Sequence, residues 1–307
     1  MFCSTIIATI GRDSLAQAVE SVLAQELGDD EACEVIVVND SGRPLTPAGW
    51  QASPRVTILE TQGRERCVAR NAGAAISRGR YLHFLDDDDE LLPGALEALR
   101  QATLGSSADW VYGRTELVNR QGQRELILDN RLEGNLFVQA MAGEWIPLQS
   151  SLIPANVFFQ IGGFDPLSTS AEDMDMLRRI ALFGNFAATQ AVISRVTMGP
   201  AGSTTNWSAH DAIAQRAREA LLMEAGCWGR LRRSAVEARE HRSYWQGRIA
   251  RLYLTSMVWN LRRRRILTAA SRAIYGGTAM LLAWRFLLQR ETWQAVTQPY
   301  RSFSFGG

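Results

Sequence analysis

The sequence predicts an α/β fold with a mostly parallel central sheet, followed by a C-terminal helical region. Through about two-thirds of the 307 residues, short β-branched runs alternate with helical periodicity, an order typical of parallel sheets. From about residue 211 the periodicity is helical only, and arginine becomes frequent. We therefore expect an α/β domain over residues 1–205 and an Arg- and Trp-rich helical region over residues 206–307, with the boundary in the loop Gly199–Asn206.

The individual elements follow from local patterns. Leu15 and Val19 lie on one face of a first helix, with Asp13 or Ser14 as its N-cap. Pro93 suits the first turn of a later helix. Five runs have strand character: Ser4–Thr9, Glu34–Asn39, Arg55–Leu59, Arg80–Leu85 and Asp109–Gly113.

Composition and charge indicate a globular protein without a zinc site or a transmembrane helix. With 46% hydrophobic and 21% charged residues, the chain has an ordinary globular composition. Its four cysteines are scattered without the paired spacing of a zinc site, which favours a cytoplasmic location. The apolar stretch Ala273–Trp284 is too short to span a bilayer, so we expect no transmembrane helix. Residues 1–211 hold 16 Arg against 27 acidic residues, whereas residues 212–307 hold 17 Arg against 5 Glu.

Four consecutive carboxylates, Asp86–Asp89, follow the strand-like run Tyr81–Leu85. Ligands of parallel sheets bind beyond the carboxyl ends of the strands. Four like charges repel one another there unless a cation or solvent relieves them, and Mg²⁺ is commonly held by carboxylates together with substrate phosphates. The run therefore predicts a divalent-cation site. The alternative is a solvated acidic turn that caps the helix starting near Pro93.

A second acidic cluster, Glu172–Asp175, opens a helical pattern. The pattern places Glu172 and Asp173 in the first turn, pointing away from the packed side of the helix. The helix dipole favours acidic residues in any first turn. A carboxylate beside a bound substrate could equally take a proton from a hydroxyl as general base. The pattern alone leaves both interpretations open.

Other polar residues accompany the early strands. Thr9 and Arg12 follow the first strand, Asp40 follows the second, and Arg70 precedes the fourth. Thr9 and Asp40 could hydrogen-bond a base or ribose, and the arginines could pair with phosphates or carboxylates. Their common placement at strand ends makes them candidates. His83 alternates within a strand and is more typical of a packed histidine than of a ligand.

Several functional motifs are absent. No G-x-G-x-x-G follows the first strand and no G-x-x-x-x-G-K-[ST] occurs, which disfavours dinucleotide-binding and P-loop enzymes. The G-x-S-x-G elbow and a histidine pair at helical spacing are missing too, which disfavours hydrolases and zinc proteases. Nothing in the motifs supports nucleic-acid binding.

Six segments in order resemble the family 2 glycosyltransferases, over roughly residues 1–195. Ala8–Arg12 is similar to that family's P-T-x-x-R, and Val35–Gly42 to its V-I-V-V-D-D-G-S strand. The other similar segments are Ser21–Gln25, Ala69–Gly73 with Gly79–Tyr81, Phe84–Asp89 for F-L-D-x-D-D, and Gly162–Asp165 with Glu172–Arg179 for G-G-F-D and E-D-x-D-L-x-x-R.

The resemblance implies a GT-A fold and a metal-dependent, inverting transfer of a sugar to an acceptor hydroxyl. The donor would be a nucleotide-diphosphate sugar, with UDP as the family default, and the acceptor a glycan or lipid-linked sugar in cell-surface polysaccharide synthesis. Thr9, Arg12 and Asp40 would surround the nucleotide, with Arg70 as a further donor-binding candidate.

The acidic residues take distinct roles in the same resemblance. Asp86 would contact the ribose or the metal-bound phosphates, and Asp88 together with Asp86 would form the site for Mn²⁺ or Mg²⁺. Asp87 and Asp89 would be supporting or surface residues. Asp173 would be the catalytic base, with Glu172 beside it in the acceptor pocket.

Two departures and two alternatives accompany the resemblance. Many relatives place a metal-binding His after the catalytic helix, whereas Val196–Pro200 contains none. The Q-x-x-R-W motif of processive relatives is absent, which favours a single-addition enzyme. A nucleotidyltransferase of similar build would carry a Gly-rich, Lys-containing N-terminal loop, which is absent. Intact Asp86, Asp88 and Asp173 argue against a catalytically silent sugar-nucleotide-binding protein.

The C-terminal region combines basic and aromatic residues. Such residues on amphipathic helices suit an anionic membrane surface, so the region could hold the protein at the inner face of the membrane. Alternatively, the arginines pair with the acidic domain or face solvent, and the tryptophans are core. The residues concerned are Arg230, Arg232, Arg233, Arg262–Arg265, Trp228, Trp245, Trp259, Trp284 and Trp293.

Overall fold

The computed structural model describes residues 1–28, 31–63, 65–119, 121–129, 132–168, 171–197, 207–238, 241–286 and 288–298. The strands are β1 (Cys3–Thr9), β2 (Cys33–Asn39), β3 (Val56–Glu60), β4 (Tyr81–Phe84), β5 (Glu90–Leu91), β6 (Trp110–Val118), β7 (Arg124–Leu128), β8 (Ser151–Pro154) and β9 (Phe186–Thr197). The helices are α1 (Leu15–Leu23), α2 (Arg66–Ala75), α3 (Ala95–Thr103), α4 (Phe137–Ala142), α5 (Ala155–Gln160), α6 (Glu172–Phe183), α7 (Trp207–Leu221), α8 (Cys227–Glu237), α9 (Arg242–Arg262), α10 (Ile266–Leu282) and α11 (Arg290–Thr297).

The strands form one sheet in the order β3-β2-β1-β4-β8-β6-β9-β5, and β7 pairs with the later half of β6. β3, β2, β1 and β4 are parallel, and β6 is parallel to β9. β8 lies between these groups and is antiparallel to both of its neighbours. Six of the nine strands in the described residues therefore point the same way, and the predicted α/β fold with a mostly parallel sheet is confirmed.

The predicted elements of the first half are present. All five predicted strands occur, and the last extends to Val118 rather than ending at Gly113. Helix α1 begins after Ser14, although the Ser14 side chain makes no capping hydrogen bond. The prediction for Pro93 is wrong, because the N-cap of α3 is Gly94, whose left-handed backbone (φ 75°) separates Pro93 from the helix.

Helices cover both faces of the sheet. Alternate strand residues point to opposite faces, so Ile7 packs in one cluster with Leu96 of α3, while neighbouring Ile6 packs in another. The second cluster continues through α4 and α6 into the C-terminal helices, including Leu231 and Ile249. The C-terminal helices therefore share a hydrophobic core with the α/β part.

The region after β9 is helical wherever the structure describes it, from Trp207 to Gln298. The predicted boundary loop, Gly199–Asn206, lies outside the described residues, so the division at residue 205 stays a prediction. None of the described helices combines the length and the apolar character needed to cross a bilayer.

Candidate functional site

A cavity of about 360 Å³ opens at the carboxyl ends of β1, β2 and β4. Its lining includes six of the predicted site residues: Thr9, Arg12, Asp40, Arg70, Asp86 and Asp88. A larger cavity of about 590 Å³ lies between α6 and α7 and contains none of the predicted site residues. The smaller cavity is therefore the candidate site, at the edge of the sheet where parallel strands end.

The four carboxylates of the acidic run alternate between buried and accessible positions. Asp87 and Asp89 are buried, whereas Asp86 is partly accessible and Asp88 is exposed. The Asp87 carboxylate accepts hydrogen bonds from the Thr9 hydroxyl at 2.5 Å and from Arg12 at 2.9 Å. Asp89 accepts a hydrogen bond from the Thr197 backbone amide at 3.0 Å. Of the two predicted alternatives for Asp87 and Asp89, the surface location is thus wrong, because both carboxylates are held inside by these partners.

Asp86, Asp88 and Asp89 bring one carboxylate oxygen each to within 4.8 Å of one another. Burial raises the pKa of Asp89 well above its usual value, and repulsion from Asp86 and Asp88 adds to the rise. Although the Asp88 side chain is 44% exposed, partial desolvation by the protein around it also raises its pKa; Arg12 opposes this rise, while Asp86 and Asp87 add to it. Carboxylate oxygens are the ligands that hard divalent ions take. These three residues therefore fit a Mn²⁺ or Mg²⁺ ion.

Arg12 and Thr9 contact the acidic run directly. The Arg12 guanidinium donates to Asp87 and to Asp88, the latter at 2.7 Å. Its positive charge offsets part of the repulsion among the carboxylates of the acidic run. Thr9 turns its hydroxyl towards Asp87 and also accepts a hydrogen bond from the Gly11 amide at 2.9 Å. Both side chains line the cavity while they support the carboxylates.

Arg70 joins the two acidic clusters. Its guanidinium lies 2.5 Å from Asp86 and 3.1 Å from Glu172. Helix α2 brings it there by packing closely on β1, since a Cβ on Gly73 would lie 2.6 Å from Ile6. Burial opposes ionisation of Asp86, but Arg70 holds the pKa of that carboxyl below its usual value. Gln149 contributes by donating to the other Asp86 oxygen at 2.9 Å.

Glu172 is a buried partner of arginine rather than an outward-pointing residue. It begins α6 as predicted but is only 5% exposed, and Arg66 contacts it at 2.8 Å besides Arg70. The expectation that Glu172 points away from the packed side is wrong, because the side chains of Arg66 and Arg70, both on α2, reach over and pair with its carboxylate. Burial raises its pKa to about 7, helped by repulsion from Asp173 and opposed by the two arginines.

Asp173 lies next to Glu172 at the start of α6. One carboxylate oxygen accepts from the Met174 backbone amide at 2.7 Å, and the other accepts from the Trp145 indole N–H at 3.0 Å. These two bonds fix the direction of the carboxylate while leaving further lone pairs on both oxygens. Such a group can accept a proton from a hydroxyl.

Asp40 has a structural role as well as a place in the cavity wall. Its carboxylate accepts from the Thr61 hydroxyl at 2.6 Å and from the Glu65 amide at 3.0 Å. Glu65 in turn caps α2 by accepting from the Cys67 amide. Asp40 therefore helps to fix the start of the helix that carries Arg70.

The sequence did not predict the roles of three residues in the site. Asp89 belongs to the carboxylate triad, whereas the resemblance implies only a supporting or surface role for it; the acidic run itself is the signal that could have found it. Gln149 lies in a single 3₁₀ turn and Trp145 in the loop before it, where no periodic pattern marks a residue. His83 is packed as expected: it contacts Thr5 and the Gln149 carbonyl, and burial lowers its pKa to about 4.

Comparison with known proteins assigns the chain to a family. Residues 4–164, half of the chain, match the model of glycosyl transferase family 2. The succinoglycan biosynthesis protein ExoO of Rhizobium meliloti is 33% identical over 114 residues, which cover 36% of this chain and about a third (32%) of ExoO. The uncharacterized glycosyltransferase YwdF of Bacillus subtilis is 28% identical over 193 residues, covering 59% of this chain and 68% of YwdF.

Solved structures agree on the fold. The structure of S. aureus TarS residues 1–349 in complex with UDP-GlcNAc superposes with a TM-score of 0.62 at 12% identity, covering 89% of this chain and 90% of that one. A complex of the same protein with UDP gives a TM-score of 0.59 at 14% identity, covering 94% and 93%. The fold is that of the GT-A glycosyltransferases, and this chain belongs to glycosyl transferase family 2.

Proposed function

We propose that the chain catalyses a single, inverting transfer of a sugar from a nucleotide-diphosphate donor to an acceptor hydroxyl. A UDP-sugar is the donor that the UDP-GlcNAc and UDP complexes of TarS favour. The likeness to ExoO, which is named for succinoglycan biosynthesis, favours a glycan or lipid-linked sugar of a cell-surface polysaccharide as the acceptor.

The observation that carries this proposal is the contact of one buried arginine with both acidic clusters. Arg70 contacts Asp86 in the first cluster and Glu172 in the second. Glu172 and Asp173 do not line the cavity itself, but Arg70 does, and it contacts Glu172 at 3.1 Å. Asp173 follows Glu172 directly, so a carboxylate suited to proton transfer lies one residue from the contact that joins it to the cavity. Transfer of a sugar needs one group that assists the leaving diphosphate and another that activates the attacking hydroxyl.

The chemistry divides between these groups. Asp173 takes the proton of the acceptor hydroxyl as its oxygen attacks the anomeric carbon. The bond from that carbon to the diphosphate oxygen breaks on the opposite face, which inverts the configuration. Trp145 keeps the base aligned through its indole N–H. When bound by Asp86, Asp88 and Asp89, a Mn²⁺ or Mg²⁺ ion would supply positive charge to the leaving diphosphate.

The remaining cavity residues suit donor recognition. Asp40 and Thr9 border the cavity with oxygen atoms that can accept from a ribose or a base, besides their bonds within the protein. Arg12 presents a half-exposed guanidinium next to Asp88, where it can pair with a donor phosphate. The nucleotide would therefore lie over the ends of β1 and β2.

Donor turnover in two single variants tests the proposal. We expect Asp173→Asn to lose about 10²- to 10⁴-fold in turnover of UDP-sugars with Mn²⁺, because it removes the base. Asp88→Ala should also lose activity, because it removes a ligand of the divalent ion that would assist the leaving diphosphate. Glu26→Gln, which neutralises an exposed carboxylate after α1, is the control and should keep full activity. Unchanged turnover in both site variants would defeat the assignment.

A further inference from the structure

The arginines and tryptophans of the C-terminal region fall into two groups. Some serve packing: Trp245 is buried in the core, and Arg230 donates to the Ala181 and Gly184 carbonyls at the end of α6. Others lie around the turn between α9 and α10, in Arg262–Arg265 and Trp259, where packing does not explain them. The second group borders the outer face of α10.

Helix α10 turns its small residues towards the protein and its large aliphatic residues towards solvent, the opposite of an ordinary surface helix. Its buried side is made of Ala269, Arg272, Gly276 and Ala279. The large aliphatic residues point outwards: Leu267, Ile274 and Leu281 are 88%, 68% and 73% exposed. A surface helix normally turns such residues to the core. Burial against the described residues of this chain therefore does not account for the outer face.

The outer face forms one continuous apolar stripe without charge. Leu267, Ile274 and Leu281 recur every seven residues, and Ala270 and Gly277 lie between them, so all five share one side of the helix. No acidic residue occurs in α10, and its one charged residue is the buried arginine of the opposite side. Beyond the helix, Trp284 and Leu288 are also exposed, at 63% and 99%.

Four consecutive arginines, Arg262–Arg265, lie at the N-terminal end of this stripe. All are exposed, and no ion pair joins them to an acidic side chain within the described parts of the chain. Arg262 and Arg263 end α9, where the helix dipole favours positive charge, whereas Arg264 and Arg265 precede α10, where the dipole opposes it. Arg264 also has a left-handed backbone (φ 58°), which glycine adopts more easily. Neither the dipoles nor the backbone therefore account for arginine at positions 264 and 265.

The Trp259 ring connects the arginines to the apolar surface. The Arg263 guanidinium lies 3.7 Å from the ring centre, and that of Arg265 lies 5.8 Å away. Arginine stacked on tryptophan beside exposed aliphatic residues is an arrangement suited to the boundary between lipid headgroups and acyl chains.

We propose that the outer face of α10, together with Arg262–Arg265, is the surface by which the protein lies on an anionic phospholipid bilayer. The stripe enters the boundary between headgroups and acyl chains, and the arginines pair with lipid phosphates. The helix of 17 residues lies in the plane of the surface over about 25 Å. This inference is independent of the proposed function.

Charge favours a bilayer over a second copy of the chain as the occupant. A second copy would bring another four arginines to the same surface, and residues 212–307 contain only 5 Glu against 17 Arg. An anionic bilayer supplies the opposite charge along with an apolar layer for the stripe. A bilayer of this kind therefore accounts for both the four arginines and the apolar stripe.

Vesicle flotation of the full chain tests the proposal. We expect the protein to float with phosphatidylcholine vesicles that contain phosphatidylglycerol, and not with phosphatidylcholine alone. Ile274→Glu combined with Leu281→Glu should abolish flotation. Changing Arg262–Arg265 to Gln should weaken binding more than a hundredfold, since each arginine near the surface contributes about fivefold. Leu167→Glu, at a leucine 62% exposed outside this region, is the matched control and should float normally.

Arg264→Gly keeps the test informative if the larger changes impair folding, since glycine suits the backbone there. It should weaken vesicle binding about fivefold while leaving the melting temperature unreduced. Failure of the wild type to float with anionic vesicles at low salt overturns the proposal. So does normal flotation of the Ile274→Glu, Leu281→Glu variant. A lipid-free dimer that this variant dissociates would assign the face to a second copy instead, which also overturns it.

Discussion

The two acidic clusters of the site use the same functional group in different surroundings. In Asp86–Asp89, three carboxylates crowd together, and burial with mutual repulsion raises the pKa of Asp88 and Asp89. Glu172 and Asp173 also repel each other, but two arginines contact Glu172 and the Trp145 indole donates to Asp173, so no third carboxylate is needed to explain either position. The first arrangement suits a cation, and the second suits a positioned base. Surroundings rather than residue type separate the two roles.

Arg70 belongs to both clusters, so its removal should have the largest effect on stability. Arg70→Met leaves Asp86 and Glu172 without their buried partner, and we expect a loss of about 3–5 kcal/mol in the free energy of unfolding. Urea denaturation measures it. Arg66→Met is the matched control, because Arg66 lies on the same helix and also contacts Glu172 but is 50% exposed against 7% for Arg70. It should cost less than about 1 kcal/mol. Equal losses would mean that Arg70 does not join the clusters.

Glu172 should give the second cluster its own pH dependence. Its pKa is about 7 in the folded protein against 4.5 as the ordinary value. A raised pKa favours folding most below the unfolded pKa, and this contribution, about 3 kcal/mol, is lost as pH rises from about 4.5 through 7. Glu172→Gln should therefore remove that decline. Unfolding free energies of both proteins from pH 4 to 8 measure it, and parallel curves would contradict the raised pKa.

The smallest effect expected is on Trp145, which aligns the base without touching the first cluster. Trp145→Phe removes the indole donor to Asp173 and should lower kcat by about tenfold or more, with the KM for the donor unchanged. Steady-state kinetics separate the two constants. Trp110→Phe is the control, because the Trp110 indole nitrogen is buried with no hydrogen-bond partner among the described residues. A similar loss of kcat in both variants would show that Trp145 acts through packing alone.

The sequence allowed prediction of the parts that depend on local pattern. β1 to β4 and α1 follow from periodicity, and their parallel order places Thr9, Asp40 and Asp86 at one edge of the sheet. β8 was not predicted. It is four residues long, and its antiparallel direction is set by its neighbours on both sides rather than by its own residues.

Prediction stopped where the site depends on pairs distant in sequence. Arg70 and Glu172 are 102 positions apart, and Gln149 contacts Asp86 across 63. No local pattern indicates such contacts, because the packing of α2 and α6 against the sheet creates them. The same packing buries Glu172, which helical periodicity alone placed on the outer side.

The most direct test of the division between the clusters is a thermal-shift measurement with UDP, with and without Mn²⁺. A ligand that binds the folded state raises the melting temperature by mass action. For the wild type we expect a larger shift with Mn²⁺ than without it. Asp88→Ala should lose this Mn²⁺-dependent part, whereas Asp173→Asn should keep it in full while being inactive in transfer. Retention of the Mn²⁺-dependent shift in Asp88→Ala, or its loss in Asp173→Asn, would contradict the separate roles of the two clusters.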